Sequence, residues 1–473
     1  MGDICGMSSL PISPEQLTAL PPDVCAVIVP IVRHAEERIA RLEAELQGLR
    51  KTPQNSSLPP STQHPHAKPL KPRSKSKKNH GGQPGHARHE RPLIPTDQCD
   101  AVVTLKPNEC RRCGTKLSGC DAAPLRHQVY ELPEIKPLIT EYQQHRLCCP
   151  GCGDTTCAAL PAGVPRGQSG PKLIAFVALL MACFRQSKRR TALFVTSILN
   201  IPCCPSLTVK QQTIVTRALQ PAYAELVAAL PRQSQLNGDE SPTQEGPVKS
   251  WLWTFVASRF TVFALRGSRA ATTLRELLGE TFTGVIGCDR AKMYWQCGRL
   301  QWCWAHLKRD FQALIDSDDH QVKRLGHDLM RPTKALFRHW SRCRDGTLTR
   351  RGFERLMQPI RDEIDSLLLR GFGTAADGMC RELRHHRDWL WTFLEMDGVE
   401  PTNNAAERSL RHAVIWRKLS FGTQSPAGSR FVETLLTTIE TCRQQHRNVF
   451  KFVTQAVEAH FHGQPTPSLL TGP

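Results

Sequence analysis

Three acidic residues stand where phosphoryl-transfer chemistry could be carried out. Asp239 closes the strand-like run Gln235-Leu-Asn-Gly-Asp239, and Asp289 closes Gly284-Val-Ile-Gly-Cys-Asp289. Glu407 lies about one turn into a helix opened by Pro401-Thr-Asn-Asn-Ala-Ala-Glu407, where Thr402 or Asn403 serves as the cap. A single Asp at a strand end is usually a turn former. Three acids, each on a segment of suitable type and order, make a more specific set. Carboxylates meeting in a shallow basic groove cannot all stay ionised without cations, and two Mg²⁺ (or Mn²⁺) ions, about 3.5–4 Å apart in such sites, resolve the repulsion. One ion would activate water or a DNA 3′-hydroxyl, and the other would stabilise the leaving oxygen. Hydrolysis and strand joining then become one in-line displacement with different nucleophiles. Glu240, beside Asp239, would point to the opposite face of its strand and is the weaker candidate.

A second chemistry is written in cysteine. Cys110-Arg-Arg-Cys113-Gly114 and Cys149-Pro-Gly-Cys152-Gly153 each place two thiols on one tight turn, the glycine letting the backbone close. Together they supply four sulfurs for a tetrahedral structural Zn²⁺. Cys120, Cys148 and Cys157 are substitutes for any one ligand. The stretches 129–132 (VYEL) and 138–142 (LITEY) read as strands between the turns, giving a zinc ribbon. Cys303-x-x-His306 resembles half of another metal site, but no second pair lies nearby in sequence, so a structural helix start is the favoured reading.

The elements that must position these groups follow from periodicity. Downstream of Asp239 come strand-like 248–257 (VKSWLWTFVA) and 260–265 (FTVFAL), helical 271–278, and the strand ending at Asp289. The order β-β-β-α-β is that of an RNase H-like sheet, in which the first and fourth strands lie side by side and would bring Asp239 and Asp289 together. Between Phe311 and Glu395 lies a mostly helical insertion with an apolar stripe at Phe353, Leu356, Ile360, Ile364 and Leu367. Residues 171–230 read as helical with a break at Asn200-Ile-Pro-Cys-Cys-Pro205. A helix–turn–helix DNA reader and three packed helices without DNA contact both fit that stretch. Upstream, Ile28, Val32, Ala35, Ile39, Leu42, Leu46 and Leu49 form a heptad seam, for self-association or for docking on the same chain.

Basic residues surround this framework. The formal net charge is +19, from 62 Lys+Arg against 43 Asp+Glu, which makes nucleic acid the default partner through counterion release. Residues 51–89 hold no acid and carry Lys75, Lys77 and Lys78 among Pro, Ser and Gln, a composition that buries no core. Arg189 and Arg190, Lys308 and Arg309, and Arg408, Arg411, Arg417 and Lys418 are the other candidate phosphate contacts, a solvated helix face being the alternative. Trp416 and Phe421 could stack on an unpaired base or pack their own helix. The 19 cysteines, in C-x-x-C pairs and without a leader-like N-terminus, point to a reduced compartment. No run approaches the roughly 18–20 apolar residues of a membrane span; 173–184 reads as a buried helix. A cytoplasmic protein, on the nucleoid when bound to DNA, is expected.

The chain resembles the IS66 family of transposases. The resemblance is carried by Asn55-Ser-Ser-Leu-Pro-Pro-Ser61, Gly81-Gly-Gln-Pro-Gly-His86, the paired C-x-x-C, Gly238-Asp239-Glu240, Cys303-Trp-Ala-His306 and Asn403-Asn-Ala-Ala-Glu-Arg408. It implies a DDE triad at Asp239, Asp289 and Glu407, an RNase H-like core, Mg²⁺ dependence, and recognition of an element's terminal inverted repeats. It also implies DNA contact by His306, Lys308 and Arg309 and help from small accessory proteins of the same element. The pattern departs at Asp289-Arg-Ala-Lys-Met-Tyr294, where relatives continue Asp-Gly-Tyr, and at Thr402, where many carry an acid.

The expectation is a multidomain α+β protein: an N-terminal helix (1–50), a basic arm (51–95), a zinc ribbon (96–165) and a helical DNA-binding region (166–232). An RNase H-like core follows in two parts (233–312 and 399–460) around the helical insertion (313–398), then a tail (461–473). Its expected work is 3′-end cleavage and strand transfer at the element's ends, by at least two copies on DNA. The alternative is a DNA-binding repressor derived from such an enzyme, which would have no need of the three acids.

Overall fold

The computed structural model describes residues 91–470, together with five isolated helical positions before them: Val24, Pro30, His34, Glu37 and Arg38. The seven heptad positions, and Lys75, Lys77 and Lys78 of the basic arm, lie outside the described residues.

Residues 91–165 are mostly irregular chain built around the two cysteine turns. Strands β1 (Arg146–Cys148) and β2 (Thr155–Cys157) pair antiparallel about the second turn, Arg146 opposite Cys157. A single bridge from Glu109 to Lys116 closes the first. The strands expected over 129–132 and 138–142 are absent: both segments are irregular, and Val129, Leu132, Leu138 and Ile139 are exposed. Their residue types suit a strand, but no neighbouring strand takes up their ladder groups.

Three helices follow. Helix α1 (Pro171–Ala182) starts with proline at its first position and is apolar all round, so it is buried from Ile174 to Ala182 save Phe176. The chain turns at Arg185, which adopts a left-handed φ of 57°. Ser187 caps α2 (Lys188–Leu199) by accepting from the Arg190 N–H, and left-handed Asn200 ends it. Helix α3 (Pro205–Ala229) again has proline at its first position and no side-chain cap.

The sheet contains β3 (Gln235–Glu245), β4 (Val248–Val256), β5 (Thr261–Arg266), β6 (Val285–Cys288) and β7 (Arg299–Trp302), in the order β5-β4-β3-β6-β7. The first three are antiparallel neighbours, while β3, β6 and β7 run parallel. Helix α4 (Ala271–Leu278) makes the crossover from β5 to β6. Strand β3 is longer than its sequence pattern indicated. It continues past Asp239 to Glu245, held there by β4, with Pro242 opposite Trp251, and by a bridge from Glu245 to Thr423.

Both sheet edges are covered by the protein's own helices. After β7 come α5 (Trp304–Ile315), the insertion helices α6 (His320–Arg344), α7 (Arg350–Arg370), α8 (Asp377–His385) and α9 (Asp388–Glu395), then α10 (Asn404–Ser420), α11 (Pro426–Gln444) and α12 (Val449–Phe461). Along α11, Glu433, Thr437 and Thr441 accept from the N–H groups of Leu265, Phe263 and Thr261 on β5, at 2.5, 2.9 and 3.2 Å. Four helical residues rise about 6 Å and two strand residues about 6.7 Å, so the two rows stay in step over three contacts. At the other edge, Thr392 of α9 donates to Leu300 O at 2.6 Å, and Gln301 accepts from the Phe393 N–H at 2.8 Å.

In the insertion, Phe353, Ile360, Ile364 and Leu367 are buried as their stripe predicts, whereas Leu356 is exposed. One continuous apolar cluster runs from Ile174 to Leu469 and includes sheet, insertion and terminal helices. Within it α1 and α3 pack against α12, and α3 also against α11. The helical stretch after residue 166 therefore shares its core with the sheet.

Candidate functional site

The parallel register aligns Asn237 with Gly287. Asp239 and Asp289 each lie two residues further on, so the pairing that builds the sheet sets them side by side on one face. Helix α10 lies against β3, and Glu407 is in its first turn. The Asn403 side chain does not cap its own helix but donates to Gly238 O at 2.7 Å, tying the start of α10 to the strand position before Asp239. Further along α10, Arg417 donates to Ser241 Oγ at 3.1 Å and also to Pro242 O. That guanidinium, expected to face phosphate, is half-buried and clamps the helix to β3.

The electrostatics follow from this convergence. Burial first, then the negative charges of Glu240, Asp289 and Glu407, hold the Asp239 carboxyl well above the usual carboxylate range. Burial also raises Glu407, against the pull of Arg309 and Arg411. Glu240 is raised by burial and by Asp289, and its side chain is 3% exposed. It faces the other side of the strand, where Tyr294 Oη donates to it at 2.7 Å and Arg269 Nε at 2.7 Å. An all-oxygen donor set whose members push one another toward protonation fits a hard divalent cation.

Arg290, which nothing in the sequence singled out, supports the acids, as do His306 and Arg309. Arg290 bridges Asp310 at 2.9 Å and Glu382 at 2.7 Å, tying the turn after Asp289 to α5 and α8. Asp289 Oδ1 accepts from the Ala291 N–H at 2.8 Å. An arginine directly after an aspartate carries no sequence signal for this role, because its partners come from distant helices. His306 and Arg309, one turn apart on α5, approach Glu407 Oε1 at 3.5 and 3.7 Å.

The remaining candidates are distributed around this centre. Arg408, Arg411 and Lys418 are exposed on α10, Lys308 is exposed on α5, and Arg189 and Arg190 are exposed in the first turn of α2. Arg185 in the α1–α2 turn lies 2.9 Å from His412 Nδ1, which brings that turn to α10. Phe421 is 78% exposed, in a left-handed conformation just past α10, while Trp416 is half-buried.

The two cysteine turns are built alike. Gly114 N donates to Cys110 O at 2.9 Å and Gly153 N to Cys149 O at 2.9 Å, with both glycines at positive φ. Cys113 is lowered by hydrogen bonding to Thr115, and Cys149 by the backbone of Gly151 and Cys152, as suits thiolate ligands. The structure thus brings Cys110 to Cys113 and Cys149 to Cys152. Among the described residues, the three-membered group with all ligand atoms within 4.8 Å is instead Cys303, His306 and Glu407.

Among the described residues, no helix is long and apolar enough to cross a membrane. A family model described as "Transposase IS66 family" matches residues 166–430, more than half of the chain. A second, described as a family of unknown function (DUF6444), matches residues 15–92. The chain is 29% identical over 175 residues to "Uncharacterized protein y4jO" of Sinorhizobium fredii, a match over 36% of this chain and 50% of that protein. The matched region thus spans half the length of that curated relative.

Proposed function

The chain belongs to the IS66 family of transposases, and from that premise we propose that it cleaves the 3′ ends of its insertion element and joins them to target DNA. The observation that carries this reading is the parallel register of β3 with β6, which sets Asp239 beside Asp289 just past the end of β6, with Glu407 in the first turn of α10, the helix packed on β3. The strand order β5-β4-β3-β6-β7, antiparallel then parallel, supports an RNase H-like core interrupted by the insertion helices α6–α9.

Asp239, Asp289 and Glu407 would hold Mg²⁺ or Mn²⁺, as two ions. When bound, the metal supplies activation of the attacking oxygen and stabilisation of the leaving one. The chain's own residues do the rest. Arg408, Arg411, Lys418 and Lys308 offer charge for the DNA backbone around the acids. Asn403 and Arg417 fix α10, and with it Glu407, against β3. Arg290 immobilises the turn that carries Asp289. Tyr294 and Arg269 hold Glu240 on the opposite face, so its charge contributes to the field without entering the donor set.

Cys110, Cys113, Cys149 and Cys152 would hold structural Zn²⁺ in a module reading the element's inverted repeats, together with the basic arm and the exposed start of α2. Two copies on two ends, with accessory proteins of the same element, complete the arrangement, which operates in the cytoplasm on the nucleoid.

The test is a cleavage and strand-transfer assay on the element's own end, with Mg²⁺ or Mn²⁺ against EDTA and with Asp289→Asn alongside. Metal-dependent nicking and joining, lost in the variant while DNA binding persists, is the expected result. Binding without cleavage by the wild type, with accessory proteins supplied, would overturn the reading in favour of a DNA-binding repressor.

A further inference from the structure

We propose that Cys303, His306 and Glu407 form a Zn²⁺ site that competes for the carboxylate needed in DNA cleavage. The competition rests on Glu407 being one of the three acids; the site itself does not.

The geometry comes from the way two helices begin together. Cys303 is the N-terminal cap of α5, His306 is one turn on, and the Trp304 N–H donates to Pro401 O at 2.9 Å, so α5 and α10 start side by side. Glu407 is one turn into α10, and the three ligand atoms lie within 4.8 Å of one another. His306 Nδ1 and Glu407 Oε1 are both buried and have no hydrogen-bond partner. They are 3.5 Å apart. That is longer than a normal hydrogen bond, yet close to the roughly 3.4 Å between two tetrahedral zinc ligands bound at about 2.0–2.1 Å. Two buried polar atoms left unbonded at that spacing suit adjacent ligands of one metal ion.

The donor chemistry selects the ion. A thiolate, an imidazole and one carboxylate oxygen suit Zn²⁺, with water in the fourth position, whereas Mg²⁺ demands oxygen donors. Burial pushes the Cys303 thiol up to about 11, and the Asn403 N–H, donating to Sγ at 3.2 Å, offsets part of that, so the thiolate forms only with the metal. Burial keeps His306 neutral, its pKa depressed to about 3, so its nitrogen needs no deprotonation to bind. Zn²⁺ would displace the Cys303 thiol proton to solvent and draw Glu407 Oε1 away from Arg309. Glu407 then serves either the sulfur–nitrogen side or the aspartate side.

The experiment titrates the metal-free full chain with Co²⁺, reading thiolate-to-cobalt charge transfer, and counts bound Zn²⁺ after gel filtration. Cys303→Ser and Glu407→Gln should each lose one equivalent that Cys110→Ser retains, with thermal melts confirming that the variants are folded. Equal metal content in wild type, Cys303→Ser and Glu407→Gln would overturn the site. A second arm adds micromolar Zn²⁺ to the cleavage assay in millimolar Mg²⁺: at least a tenfold loss is expected in the wild type and less than twofold in Cys303→Ser. Equal inhibition of both would overturn the competition. An equivalent lost in both variants, with no cleavage under any condition, would support the site while removing the transposition reading on which the competition rests.

Discussion

Asp239 couples the chemistry of the site to the stability of the fold. Its folded pKa lies above the unfolded value, so the folded state binds the extra proton in the window above the ordinary carboxylate range. The associated stability is present at low pH and is lost as pH rises through the raised value. In EDTA, the melting temperature is expected to fall across that window, and Asp239→Asn should flatten the fall. The same substitution should raise metal-free stability at pH 7 by on the order of 1 kcal/mol or more while abolishing cleavage. Adding Mg²⁺ should stabilise the wild type in thermal melts and leave Asp239→Asn unmoved. The three acids could be put forward as candidates from the sequence because each sits at a recognisable place, at or next to a strand or early in a helix. The roles of Arg290, Asn403 and Arg417 were not, since each is set by a partner on a remote element. Arg417 illustrates the difference: its charge suggested DNA, and its contacts are with β3.

Element by element, the sheet could be traced up to Asp289, including the crossover helix α4. Strand β7 escaped notice because four residues, Arg299–Trp302, carry too little pattern to separate from a loop. The edge cover supplied by α11 was equally hidden, since Thr437 and Thr441 look like neutral helix residues until β5 is placed beside them. Thr437→Val keeps the shape of the side chain but leaves the Phe263 N–H buried without an acceptor. Denaturant unfolding should show a loss of about 1–3 kcal/mol. The two kinds of arginine on α10 should separate in a paired measurement. Arg411→Ala should lower the slope of log affinity for DNA against log salt by about one. Arg417→Ala should leave that slope unchanged and lower the melting temperature, because it loosens the helix from β3.

The net charge of +19 belongs to the whole molecule, and it predicts that affinity for any duplex, measured by titration, will fall steeply with salt. The chain also closes on itself. Helix α12 packs against α1 and α3, and beyond it Thr466 donates to Ala218 O at 2.9 Å, Ser468 donates to Glu225, and Leu469 is fully buried. A chain cut after Gln444 would strip α12 from α1 and α3, and should lose the single cooperative melt of the full protein. During synthesis, a ribosome would have made all three acids well before it reached Leu469. Until that last stretch emerges, the faces of α1 and α3 that α12 covers stay open. A prematurely terminated translation product would carry all three acids on an incompletely covered core, and is expected to lack the cleavage activity proposed for the full chain.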